Sequence, residues 1–188
     1  MSKLIENRRW LIGQAYFQYF LVLLLIVAVL MDFKYDRIDN GWIVLGIWLG
    51  IFFHMRVNGW HGIAGIFISM LLPFLLLYPV YRIGGLGAGD VKLFVMTGAF
   101  LPGKRVLYVL ACAFIVGAVF SLAKLVSEGN FKERIHYFYS YLLDVVLSGK
   151  WKLYGENEIQ DYENYKRNKI HFALPICISV MLGMGGLF

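Results

Sequence analysis

Charge is what this sequence has least of: Asp, Glu, Lys and Arg together make up 16% of its 188 residues, where a soluble domain carries about 25%. Hydrophobic residues fill 60% of the chain. That balance excludes a secreted enzyme, a free nucleic-acid-binding domain and a disordered chain. Cysteine is nearly absent as well. Cys112 and Cys177 each stand alone inside an apolar run, with no CxxC or Cys/His spacing, so neither a disulfide framework nor a structural metal is implied. No Pro/Ser-rich linker and no internal repeat interrupts the chain, and residues 1–188 read as one domain.

What is present is long apolar runs. Charge-free stretches cover residues 10–31, 40–55, 57–81, 106–123 and 170–188, and roughly 20 apolar residues cross a bilayer as a helix. A further crossing is hidden after residue 83, where a glycine-rich apolar run is broken only by Asp90 and Lys92. The expected fold is therefore all-α, a polytopic membrane protein with about six transmembrane helices over residues 11–31, 41–56, 62–81, 88–102, 105–126 and 170–187. Helices are required because backbone groups in hydrocarbon must bond within their own segment, and the alternation of barrel strands is absent. Trp10, Trp42 and Tyr81 fall near span ends, as interfacial aromatics do. Lys3, Arg8 and Arg9 before the first run resemble a signal peptide, but the run is 22 residues long and ends at Asp32 without a small-residue cleavage site. It reads as a retained first helix.

The net charge of +6 does not point to a nucleic-acid partner, because Lys and Arg lie in the gaps between apolar runs, where membrane topology accounts for them. Six fall on the side of the N-terminus and twelve on the side bearing Asp32, Asp90 and a charged loop at 127–169. Positive residues favour the cytoplasm, so that side is expected to be cytoplasmic, against the opposing pull of Arg8 and Arg9. Within the loop, residues 137–149 have apolar positions at helical spacing but include Asp144 and are too short to span. An amphipathic helix on the membrane surface fits them better.

Four carboxylates carry chemical interest. Asp32, Asp36 and Asp39 follow the first span and Asp90 opens the fourth; ionisable groups at membrane depth are expensive and mark function unless they cap a helix at the interface. Asp36 and Asp39, flanked by Lys34, Arg37 and Asn40, read as solvated loop residues. Asp32 directly follows LVLLLIVAVLM, and Asp90 follows Gly84, Gly85, Gly87 and Gly89. With two crossings between them, Asp32 and Asp90 reach the same membrane face. Two close carboxylates share a proton, so one can act as base on water while the other donates to a carbonyl. The glycines admit a backbone or substrate and permit conformations that other residues resist, so alanine at Gly87 or Gly89 is expected to harm activity more than stability. The competing reading makes them packing glycines, with Asp90 as a helix N-cap. Lys92 either stabilises an anion or snorkels to headgroups. GGLGAGDVK lacks the GK[ST] ending of a phosphate-binding loop. His54, His61, His136 and His171 show no ligand spacing and are assigned to interfaces or packing.

Gly87-Ala88-Gly89-Asp90 resembles the GxGD signature of polytopic aspartic proteases, and Asp32-Phe-Lys-Tyr-Asp-Arg-Ile-Asp-Asn40 resembles the D-x5-[IL]-P-[ND] segment of type IV prepilin peptidases. The resemblance extends to Lys92 and, loosely, to KIHFALPICISVMLG, which is similar to the final span of the short Tad/Flp-type members. It covers residues 15–126 and, weakly, the last span. It implies catalysis by Asp32 and Asp90, supported by Gly87, Gly89, Lys92 and Asn40, and cleavage of the basic leader of prepilin-like proteins at the cytoplasmic face of the plasma membrane. Asp39 stands where the family usually has proline, which leaves open which acid of the first cluster is the catalyst. Larger members carry a CxxC-bearing N-terminal segment and methylate the new terminus. Its absence here implies peptidase activity alone, with no cofactor, S-adenosylmethionine or zinc. Presenilin-like proteases share GxGD, but their aspartates lie on consecutive helices. A proton-coupled transporter using Asp32 and Asp90, and a non-enzymatic pilus-assembly scaffold, are the alternatives from other classes.

Overall fold

The computed structural model describes residues 2–59, 62–127 and 171–186. These form helices α1 (Ser2–Tyr35), α2 (Asn40–Asn58), α3 (Ile63–Arg82), α4 (Ala88–Gly98), α5 (Gly103–Ser127) and α6 (Ala173–Met184). The expected loop at 127–169, with its surface helix, lies outside the described residues apart from Ser127, which ends α5.

The helix ends follow local chemistry. α1 begins at Ser2, earlier than the apolar run alone implies, and stops where Asp36 turns left-handed at φ 54° with its N–H on the Asp32 carbonyl. Lys34 in its last turn suits the negative end of the helix dipole. α2 is capped by Asp39, whose Oδ1 accepts from the Gly41 N–H at 2.9 Å. It ends at Gly59, which takes φ 61° and donates to the Met55 carbonyl. α3 closes on Gly84, at φ 78°, with Gly84 N–H bonded to the Tyr81 carbonyl and Gly85 N–H to that of Val80. This pair of bonds around a left-handed glycine is a common helix stop.

Among the described residues, three helical segments are long and apolar enough to cross a membrane: Phe17–Tyr35 of α1, and all of α3 and α5. α2 covers the span expected at 41–56. α4 and α6 depart from expectation. They hold 11 and 12 residues, about 17 and 18 Å at 1.5 Å per residue, short of a hydrocarbon core of about 30 Å. α4 stops at Gly98 rather than 102 because Ala99 and Phe100 tighten onto the carbonyls of Met96 and Thr97, and because Leu101 precedes Pro102 and is thereby disfavoured from helical geometry. The described residues thus hold six helices, of which three have the length and apolarity of spans, and the expected six crossings are not confirmed.

Both short helices are core elements. α4 packs against α2, α3, α5 and α6 and buries Val91, Leu93, Phe94, Met96 and Thr97. α6 lies on α5 and α1 and buries Pro175, Ile176, Cys177 and Val180. Glycine permits the close approach, as small residues do between membrane helices. Gly98 abuts the Ser69 backbone, Gly50 faces Ala99, and a Cβ on Gly117 would fall 2.5 Å from the Phe172 ring. Buried hydroxyls bond back within their own helices, Ser69 to Gly65, Thr97 to Leu93 and Ser179 to Pro175, at 2.8, 2.9 and 2.8 Å. The large apolar side chains left outside, including Leu23, Leu30, Trp48, Phe67, Leu75, Ile115 and Val126, line the outer faces of α1, α2, α3 and α5. Such a surface suits lipid, and the protein is a membrane protein.

Candidate active site

The site is assembled from the C-terminal end of α1 and the N-terminal ends of α2, α4 and α6. Asp32 lies in the last turns of α1 and is 6% exposed; it is the buried carboxylate among the described residues. The left-handed turn at Asp36 and the cap at Asp39 then reverse the chain into α2. Asp36 and Asp39 are exposed and serve this reversal, in keeping with their reading as loop residues.

At the other half, the glycines divide by role. Gly84 has the left-handed backbone and terminates α3. Gly87 is extended at φ −73°, ψ 147° and is the N-cap of α4, so the expectation that Gly87 and Gly89 answer to unusual backbone conformations is not met. What Gly87 supplies is room: a Cβ there would stand 3.0 Å from Asp90 Oδ2. Gly89, in the first turn of α4, faces Ile38 from the α1–α2 turn, with a Cβ position 3.7 Å from Ile38 Cδ1. Asp90 is half-buried and lies in that first turn, three residues after the N-cap Gly87, a position favoured for an anion by the helix dipole.

Two further contacts close the end of the bundle. Lys92 Nζ donates to Asn40 Oδ1 at 2.8 Å, joining α4 to α2 and giving Lys92 a partner within the protein. His171, just before α6, brings Nδ1 to 3.2 Å from Asp32 Oδ2. This is ion-pair distance, without the alignment of a full hydrogen bond. The His171 ring also lies against Phe33, with centroids 4.5 Å apart. All six residues expected at the site, Asp32, Asn40, Gly87, Gly89, Asp90 and Lys92, therefore stand at one end of the helix assembly. The sequence alone assigns His171 to an interface or to packing. The only signal was its place directly before the last apolar run, which says nothing about a partner in the first helix.

A helical membrane protein that gathers a buried carboxylate, a second carboxylate in a helix first turn and a glycine beside it defines the class: a membrane protein with an acidic site at one end. The model of the type IV leader peptidase family matches residues 19–122, more than half of the chain, and the chain belongs to that family. It is thus a membrane peptidase. No curated protein and no solved structure matches it. The matched region includes Asp32 and Asp90 and ends before α6 and His171.

Proposed function

We propose that this protein is an aspartic endopeptidase that removes the N-terminal leader of Flp-type prepilins, with Asp32 and Asp90 as its catalytic pair. The observation that carries this reading is a buried carboxylate, Asp32, at the same end of the assembly as Asp90, both within the region matched by the family. In the proposed reaction the ionised member of the pair takes a proton from water, whose oxygen attacks the scissile carbonyl. The protonated member hydrogen-bonds that carbonyl oxygen. Collapse of the tetrahedral adduct then breaks the C–N bond as a proton passes to the leaving amine. The absence of a side chain at Gly87 leaves room for the Asp90 carboxylate, whose Oδ2 stands 3.0 Å from where a Cβ would be.

The substrate class follows from the family, and the face from charge. On the six-crossing reading of the sequence, the twelve-to-six bias of Lys and Arg favours a cytoplasmic location for the end bearing Asp32 and Asp90, in the plasma membrane. A basic leader ahead of a hydrophobic helix would present its cleavage site there, with the helix left in the lipid beside α1–α3.

Co-expression with a Flp-type prepilin tests the reading, with leader removal followed on a gel for the parent, Asp32→Asn and Asp90→Asn. The precursor should persist with either variant although both insert in the membrane. Processing at the parent rate by either one would sink the assignment.

A further inference from the structure

His171 lies beyond the region matched by the family, yet its side chain meets the buried Asp32. Its Nδ1 stands 3.2 Å from Asp32 Oδ2. That nitrogen is buried and has no aligned hydrogen bond among the described residues. The ring is held in place on its other side by Phe33, with planes inclined at 34°. A buried ring nitrogen without a partner is unfavourable unless it can turn onto an acceptor, and the nearby acceptor is the Asp32 carboxylate.

We propose that His171 is a positioning residue for Asp32: Nδ1–H donates to Oδ2, fixes the plane of the carboxylate and leaves Oδ1 to face the water that is activated. The inference rests on the reading of Asp32 as one of the catalytic pair. The nitrogen facing a carboxylate carries hydrogen in the imidazolium and in the matching neutral tautomer, so the role does not depend on the charge of the ring. Imperfect alignment is usual in a substrate-free site, where catalytic hydrogen bonds tighten on substrate binding. Without the donor, the carboxylate turns about its terminal torsion, which has a broad minimum.

A purely structural His171 would act through its ring stacked on Phe33, and two substitutions separate the roles. His171→Phe keeps the aromatic ring and removes the donor. His171→Asn gives up the ring but places an amide N–H where Nδ1 stands, whereas the His171→Gln amide reaches toward the Nε2 position. With purified protein in detergent and a Flp-type prepilin as substrate, His171→Phe should lower kcat by about 10- to 100-fold while KM stays near the parent value. His171→Asn should recover most of the loss, and His171→Gln less. Parent kcat in His171→Phe, or an Asn variant as impaired as Phe, overturns the proposal.

Asp32→Asn is measured alongside. If it cleaves normally, the catalytic reading and the positioning role fall together. If it is inactive while His171→Phe is normal, the His171 role alone falls. A readout independent of substrate completes the test: the thermal unfolding shifts of His171→Phe and Asp32→Asn should be less than additive in the double variant, as for residues in contact. Additive shifts also overturn the proposal.

Discussion

Lys92 Nζ and Asn40 Oδ1 lie 2.8 Å apart, and this hydrogen bond ties the start of α4, which carries Asp90, to the start of α2, a short turn beyond Asp32. The bond is exposed, so its loss should change stability by no more than about 0.5 kcal/mol. Its effect on the relative placement of the two halves should be larger. Lys92→Met and Asn40→Ala are each expected to slow leader cleavage roughly 10-fold, since small displacements of catalytic groups are costly. The double variant should be no worse than the more impaired single one. Cleavage rates per inserted protein check this, and losses that multiply would show that the two residues act separately.

Asp36 and Asp39 should prove structural. Asp39→Ala removes the cap on α2 and is expected to cost about 1 kcal/mol, whereas Asp39→Asn keeps an acceptor for the Gly41 N–H and should remain stable and active. Asp36→Val places a β-branched residue at φ 54° and should cost about 1–2 kcal/mol; Asp36→Asn should be tolerated. Thermal unfolding in detergent and prepilin cleavage provide the measurements. Inactive Asn variants at 36 or 39, beside an active Asp32→Asn, would place the catalyst elsewhere in the cluster.

Gly87 and Gly89 should respond differently to alanine. Gly87 has an ordinary extended backbone, so the methyl group brings no conformational strain; it would, however, press on Asp90 Oδ2 at 3.0 Å. Gly87→Ala should therefore keep its stability and lose cleavage by about 10-fold or more. Gly89→Ala meets Ile38 at an ordinary contact distance, 3.7 Å, inside a helix where alanine is favoured by up to about 1 kcal/mol. It should fold as well as the parent and cleave at a similar rate. Equal losses at both positions would contradict this division.

Packing glycines offer a contrast away from the site. A Cβ on Gly98 would collide with the backbone of Ser69 and Met70, whereas one on Gly65 meets nothing within 4 Å. Gly98→Ala should destabilise the protein by about 1–3 kcal/mol, as overpacking does, and Gly65→Ala should be neutral or slightly stabilising. Unfolding temperatures of the two purified variants decide the matter, and a Gly98→Ala protein as stable as the parent would mean that α3 and α4 are not packed so closely.

Much of this was legible in the residues themselves. The apolar runs imply a helical membrane protein because transfer into lipid and internal hydrogen bonding are properties of each segment alone. Asp32 and Asp90 stand out because carboxylates beside long apolar runs are rare and costly, and the two crossings that the sequence implies between them would put both at one face. The tertiary structure decided what depends on how helices rotate and pack. α6 is as apolar as a span, yet it is a short helix packed on α5 and α1, since apolarity does not distinguish a lipid neighbour from a protein one. Gly84 turns the chain while Gly87 makes room for a carboxylate, a division invisible in a run of similar glycines. His171 meets Asp32 only because α6 packs on α1, and no local pattern records a contact between residues so distant in the chain.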